Sequence, residues 1–208
     1  MRQNQKKLIS LLLLLAMLFT ILPAAAFAGT EADPTSEYTW PSFRGQENNM
    51  AITNIALPTS TTNTALKWDL QLSYMTPPTI VGNKIYVASV DKLYAVDRTT
   101  GNENAVSLAG SLSWYQMPVI YGDGKLFVSY DNGQVQAFDA VSLESLWVSE
   151  PLGGYIAAPA TYKDGFLYVG NYNWSGTEFY YTAIHTVDED TTDPVSYTHL
   201  TLPTICSV

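Results

Sequence analysis

The sequence predicts an all-β fold made of repeated four-stranded units, and three observations carry that prediction. Two stretches, GNKIYVASVDKLYAVDRTTG (82–101) and GDGKLFVSYDNGQVQAFDAVS (122–142), repeat one pattern, and a third copy begins at PATYKDGFLYVGNYN (159–173). The runs KIYVAS, KLFVSY and FLYVGN are rich in β-branched and aromatic residues, and each follows a turn pair: Gly82-Asn83, Asp123-Gly124 or Asp164-Gly165. No stretch after Ala28 sustains a helical apolar period over more than two turns, which disfavours helical repeats. A period near forty suits blades of a β-propeller, each a four-stranded unit that must stack on its neighbours to bury its faces.

Taken from the N-terminus, the chain opens with Arg2, Lys6 and Lys7, an apolar run from Leu8 to Leu22, and the small-x-small triplet Ala26–Ala28. That is the pattern of a cleaved signal peptide over 1–28, and the run is shorter than the roughly 20 residues a membrane span needs. The expected mature chain is exported and has no membrane span. It keeps seven Lys and Arg against nineteen Asp and Glu, a net charge of about −12. Such a balance excludes nucleic acid and anionic membranes as partners, because both demand clustered positive charge.

The prolines Pro78, Pro118 and Pro159 recur at this period and mark the start of three blade units within 67–194. Glycine and asparagine at the turns tolerate positive φ at little steric cost. A second turn, Asp131-Asn132-Gly133, divides the second copy, whereas the first makes the same reversal at Val90–Lys92 without glycine. The strands then run into AVDRTTGNENA (95–105) and AFDAVSLESLW (137–147). This frame resembles the pyrroloquinoline-quinone (PQQ) type propeller repeat, A-x-D-x-x-T-G-x-x-x-W. The resemblance rests on Ala95, Asp97, Thr100 and Gly101 in the first copy and on Ala137, Asp139, Ser142 and Trp147 in the second. It implies that the Ala permits close packing, the Asp ties down the following turn and the Trp wedges between blades. The first copy has Ala105 in place of the Trp, the second has Ser142-Leu143 in place of Thr-Gly, and the third keeps Ala183 but has His185 in place of the Asp. Trp68 reads as the closing strand of an earlier unit.

Residues 29–66 form an N-terminal segment whose WPSFRG stretch, with Trp40, Pro41, Phe43, Arg44 and Gly45, is similar to the opening of many secreted PQQ-like propellers. Its expected role is structural: Trp40 and Phe43 would cover an end of the first blade while Arg44 bonds backbone carbonyls at a turn. The competing role for Arg44 is an anion or sugar contact.

Little else in the chain points to chemistry. His185 has no evident nucleophile partner, no zinc spacing occurs, and DEDTTD (188–193) lacks the glycine and distal glutamate of an EF-hand. The best candidate ligand surface is the aromatic and amide cluster Tyr172, Asn171, Asn173 and Trp174; in the bland alternative Phe179 and Tyr181 turn into the core and Trp174 caps a hairpin. The decapeptide VSYTHLTLPT (195–204) is similar to one reading frame of the transposon-end adapter of short-read DNA libraries. Residues 195–208, with Cys206 and His199, are therefore expected to be foreign to a natural chain that continues past 194.

These readings converge on an incomplete propeller, exported to the cell surface or envelope, that acts as a non-enzymatic binding or scaffold module for a protein or polysaccharide. Catalytic, cofactor-binding and metal residues are expected to be absent. Two alternatives follow from the resemblance. One is a PQQ-dependent dehydrogenase, with PQQ and calcium held by blades beyond residue 194; the other is an outer-membrane assembly scaffold.

Overall fold

A computed structural model describes residues 39–45, 60, 65–113, 115–173, 179–186 and 197–201. The expected signal segment 1–28, the loop 58–64 apart from Ser60, Trp174, the acidic run 188–193 and Cys206 lie outside them. The described residues are all-β, with no helix among them, and no helix there is long and apolar enough to cross a membrane.

Three antiparallel sheets follow one another along the chain. The first runs β1 (Thr79–Val81), β2 (Lys84–Ser89), β3 (Lys92–Asp97) and β4 (Glu103–Ser107), hydrogen-bonded in that order. The second repeats it with β5 (Ile120–Gly122), β6 (Lys125–Ser129), β7 (Val135–Asp139) and β8 (Ser145–Val148). After the short β9 (Tyr155–Ile156), the third runs β10 (Thr161–Lys163), β11 (Phe166–Tyr172), β12 (Phe179–His185) and β13 (Tyr197–Thr201), with β9 also pairing β11. The fourth strand of the third sheet thus falls in the stretch expected to be foreign; its alternating Tyr, Thr and Leu suit a strand whatever their origin.

Register shows the repeat better than the prolines do. The opening pairs Thr79↔Tyr86, Ile120↔Phe127 and Thr161↔Tyr168 are evenly spaced along the chain. Pro77, not Pro78, therefore corresponds to Pro118 and Pro159. The turns between the first two strands of each sheet hold two residues. Asp123-Gly124 and Asp164-Gly165 have positive φ at both positions, whereas in Gly82-Asn83 only the glycine does; these are the type I′ and II′ geometries that match strand twist. At the end of the third strand, Asp97 and Asp139 each accept a set of bonds from the turn that follows. The Asp139 carboxylate takes the N–H of Val141 (2.9 Å), the N–H of Ser142 (2.7 Å) and the Ser142 hydroxyl (3.0 Å). Asp97 takes the N–H groups of Thr99 and Thr100 at 2.9 Å and the Thr100 hydroxyl at 3.1 Å. The turns close on Gly101 N–H to Asp97 O and Leu143 N–H to Asp139 O. Leu143 therefore stands where Gly101 does and adopts φ 60.

The second sheet hides both faces, and its alternate residues serve opposite neighbours. In the second sheet Leu126, Val128 and Phe138 face the first, meeting Tyr86, Ala88, Leu93 and Ala95. Phe127, Val135 and Ala137 face the third, meeting Leu167, Val169 and Ile184. The small motif residues Ala95 and Ala137 lie beside Tyr86 and Phe127 on the face toward the next sheet. Tyr162 stacks on Phe127 (centroids 5.8 Å, planes 16° apart) over Gly122, where a Cβ would stand 2.2 Å from the Tyr162 ring. Only glycine admits that ring. Polar stitches reinforce the packing: Tyr86 OH donates to Ala140 O at 2.8 Å, and the Thr79 hydroxyl donates to Val119 O. Across sheets, the strands that approach most closely are the first ones, β1 with β5 and β5 with β10, so these line the axis.

The ring does not close. Tyr168 occupies the position of Tyr86 and Phe127, which are each 1% exposed, yet Tyr168 is 40% exposed. Phe166 and Tyr181 lie on the same outward face, and Thr161 is exposed where Thr79 is buried. The expectation that Tyr181 turns into the core is thereby corrected: its register partner is Gly170, on the face away from the second sheet.

Residues 29–194 expressed alone are expected to self-associate through this face, and Tyr168→Lys with Tyr181→Lys should shift light scattering toward monomer. A sharp two-state melt from an unsubstituted monomer would contradict that. The Asp139 carboxyl is held below the usual carboxylate range, first by the Ser142 backbone N–H and then by the Ser142 hydroxyl and the Val141 N–H. A depressed folded pKa stabilises above the unfolded value near 3.9 and is lost as pH falls through the folded one. Asp139→Ala should cost about 1 kcal/mol of local stability at pH 7, a screened charge-assisted bond, and progressively less as pH falls through the folded pKa. Amide-exchange protection of Val141 and Ser142 across that range checks it.

Candidate functional site

The meander gives each blade two unlike ends. At one, here the turn end, lie the two-residue turns and the Asp-anchored turns after the third strands. At the other, the connector end, lie the reversals from second to third strand and the segments that carry the chain between sheets. Return contacts knit the turn end identically in all three sheets: Arg98 N–H to Asn83 O, Ala140 N–H to Gly124 O and Thr186 N–H to Gly165 O, at 2.8–2.9 Å.

The connector end is irregular and aromatic. Tyr74 (73% exposed), Met75, Val90, Tyr115 and Tyr155 all stand out there. In each sheet a residue upstream of the periodic proline bridges the end of the second strand: Met75↔Ser89, Leu112↔Tyr130 and Ile156↔Asn171. One residue separates Met75 from Pro77, and two separate Ile156 from Pro159, but five separate Leu112 from Pro118. The second blade therefore bears an insertion, 113–117, which turns back on Gln116 N–H to Ser113 O (2.8 Å) and Tyr115 N–H to Ser113 Oγ (3.3 Å). Trp114, within it, lies outside the described residues. Loops of this kind on a regular scaffold are where function concentrates.

A buried polar network anchors this connector. The Tyr130 hydroxyl donates to Gln136 Oε1; Ala109 N–H reaches both, at 3.1 Å and 2.9 Å; and Gln136 Nε2 donates to Ser145 Oγ at 2.7 Å. Burial pushes the Tyr130 phenol up to about 12, so it stays a donor throughout the neutral range.

The four residues expected to form a ligand surface do not act together. Asn171 is buried, donating through Nδ2 to Leu152 O, with Oδ1 left without a partner. It is a fastener for the connector, and the expectation of an exposed amide is corrected because Asn171 faces the cluster between sheets two and three. Asn173 is exposed, Tyr172 pairs through its backbone with Tyr155, and Trp174 lies outside the described residues.

The two motif tryptophans sit differently, Trp68 on the first blade and Trp147 between the second and third. Trp68 stacks on Gly101, where a Cβ would stand 2.8 Å from its ring, and donates to Arg98 O at 3.0 Å. Trp147 packs 6.0 Å from Phe127, on the face toward the third sheet. A bulge at Ala137/Phe138 places Trp147 opposite Ala137, whereas Asn104 stands opposite Ala95, so Ala105 and Trp147 are not structural equivalents. His185 lies against Phe166, centroids 4.8 Å apart.

The WPSFRG stretch runs along the axis rather than over a blade end. Trp40 exchanges backbone bonds with Ile80 (2.6 and 3.0 Å), Tyr121 N–H donates to Pro41 O (3.0 Å), and Ser42, Phe43 and Arg44 face Pro159–Thr161 across a cavity of about 310 Å³. It thus bonds to the first strands of the first two sheets and borders that of the third. Its turn is closed by Ser42, whose hydroxyl donates to Gly45 O at 2.7 Å, and not by Arg44, which is exposed. Gly45 has φ 86 and nestles against Trp40.

Comparison with known proteins finds no family model that matches and no match among curated proteins. Solved structures do match. A europium-containing methanol dehydrogenase superposes with TM-score 0.61 at 18% identity, over 79% of this chain and 32% of its own. A quinohemoprotein alcohol dehydrogenase of Pseudomonas putida HK5 gives 0.58 at 17%, over 73% and 25%. That of Comamonas testosteroni gives 0.55 at 20%, over 76% and 26%. The chain therefore shares the β-propeller fold of these proteins and spans a third or less of their length. Among the described residues no three His, Cys, Asp or Glu side chains converge. No group of described carboxylates is placed to hold calcium.

Val90, at the first position of the β2–β3 turn, has φ 55 and is 54% exposed. A β-branched residue there costs roughly 1–2 kcal/mol that glycine does not incur. Val90→Gly should raise stability by about 0.5 kcal/mol once the greater freedom of glycine in the unfolded chain is subtracted, seen as a higher thermal midpoint.

Proposed function

We propose that this chain is part of an exported, non-catalytic β-propeller that holds a cell-surface protein or polysaccharide at its connector end. The observation that supports the reading is the asymmetry of the two ends. Tight, repeated turns occupy one end, while exposed aromatics and the 113–117 insertion gather at the other. Exposed apolar groups concentrated on one surface mark interaction sites, because leaving them in water has no folding benefit. Export rests on the leader pattern of residues 1–28. The face carrying Tyr168 and Phe166 is taken, in this reading, by a further blade of the same kind.

The test compares retention of purified envelope polysaccharide and solubilised surface proteins on the immobilised chain. Tyr115→Ser with Tyr155→Ser should lower retention roughly tenfold, whereas Val141→Ser, exposed at the turn end, should leave it unchanged. Retention indifferent to the tyrosine changes would overturn the reading. So would dye reduction that depends on added PQQ and calcium, which would make the chain part of a dehydrogenase.

A further inference from the structure

Six non-glycine residues among those described have left-handed backbones. Asp123 and Asp164 are the first residues of tight turns, and Leu143 replaces the turn glycine while filling the core between the first two sheets. The other three are Tyr74 (φ 50), Val90 (φ 55) and Gln116 (φ 48), and all three line one cavity. Residues held in sparsely populated backbone regions persist where the surroundings over-determine them, and they cluster at binding sites. Here three separate segments contribute one each: the approach to the first blade, its β2–β3 turn, and the insertion of the second blade.

The cavity holds about 300 Å³, the small end of the range for ligand sites, and Ser111, Leu112 and Ser113 complete its lining. None of these residues is charged, although the chain carries a net charge of −9. Such a wall suits a ligand that is neutral, has an apolar face for Tyr74, and carries hydroxyls for the two serines and the Gln116 amide. A pyranose ring has that combination. Among the described residues of the lining, an anion finds no cation and a cation finds no carboxylate.

We infer that the cleft between the first and second blades, walled by Tyr74, Val90, Ser111, Ser113 and Gln116, is a subsite for an uncharged polysaccharide. The inference rests on the connector-end reading above and gives its ligand class. Tyr74 stacks on the sugar face, while Gln116 and the serines meet ring hydroxyls. The insertion 113–117 supplies Ser113 and Gln116 to this cleft.

The test is biolayer interferometry on the immobilised chain with cellohexaose, maltohexaose and chitohexaose as neutral probes. Hexagalacturonate serves as the anionic probe and decaproline as the peptide probe. At least one neutral hexaose should bind, roughly tenfold more tightly than hexagalacturonate, and Tyr74→Ala or Gln116→Ala should weaken it by roughly tenfold. Tyr74 is 73% exposed, so its truncation leaves the core intact. Gln116→Gly should lose binding yet raise the thermal midpoint, since glycine relieves the left-handed backbone; a purely structural residue would lower both. Failure of all three hexaoses to bind, binding that survives both alanine changes, or preference for decaproline overturns the inference. If the hexaoses fail while envelope retention still depends on Tyr115 and Tyr155, only the ligand class falls. If that dependence is also missing, the connector-end reading falls with it.

Discussion

Every sheet in this chain has to hide two faces, and that requirement organises the rest. A blade whose second strand reads Leu126, Phe127, Val128 sends successive side chains to opposite neighbours. Neither face can be left wet without exposing a row of apolar groups. Stacking therefore continues until something covers the last blade. The first and second interfaces are built from equivalent positions, with an aromatic (Tyr86, Phe127) beside a small alanine (Ala95, Ala137). The same pair, Tyr168 and Ala183, recurs on the third sheet, where Tyr168 is left 40% exposed.

Polar groups do the aligning that burial alone cannot. Hydrophobic contact is indifferent to small slides of one sheet over another, whereas Tyr86 OH on Ala140 O and the Thr79 hydroxyl on Val119 O each specify one position. Along the axis, the Trp40–Gly45 stretch bonds to β1 and β5 and borders β10, so a segment preceding all the blades sets their inner edges. At the rim, Asp97 and Asp139 gather the turns that follow, and Trp68 covers Gly101. The fold is thus tied at its centre and its periphery, and its connector end is left to vary.

That division of labour gives the function its place. The turn end uses its geometry up in closing hairpins, so its backbone groups already have partners. The connector end must carry the chain from rim to axis between successive sheets, and its length can change without disturbing a blade. In the second blade the change is the insertion 113–117, which brings Gln116 opposite Tyr74 and Val90. Three left-handed side-chain-bearing residues around one cleft are difficult to account for by folding alone, because glycine would serve each backbone better.

The architecture was legible in the chain before any coordinate was known. Turn pairs, alternating strands and the A-x-D frame are local signals, each satisfied within a few residues of itself, so they can be read without knowing the neighbours. Trp40–Gly45, Asp97, Asp139 and Trp147 were singled out by resemblance to the repeat and to the opening stretch, not by a local rule of this kind. The side of the sheet each aromatic would occupy was not legible, nor was the identity of the buried amide. Asn171 and Tyr181 exchange their expected surroundings because burial in a stacked sheet depends on the adjacent blade. The cleft at Tyr74 and Gln116 was hidden for a related reason. The period from strand to strand stays constant, so extra residues after Leu112 are offset by a shorter path before it, and no gap appears in the repeat. Where that slack emerges is set by long-range packing alone, because the bridge from Leu112 to Tyr130 is a contact between segments distant along the chain.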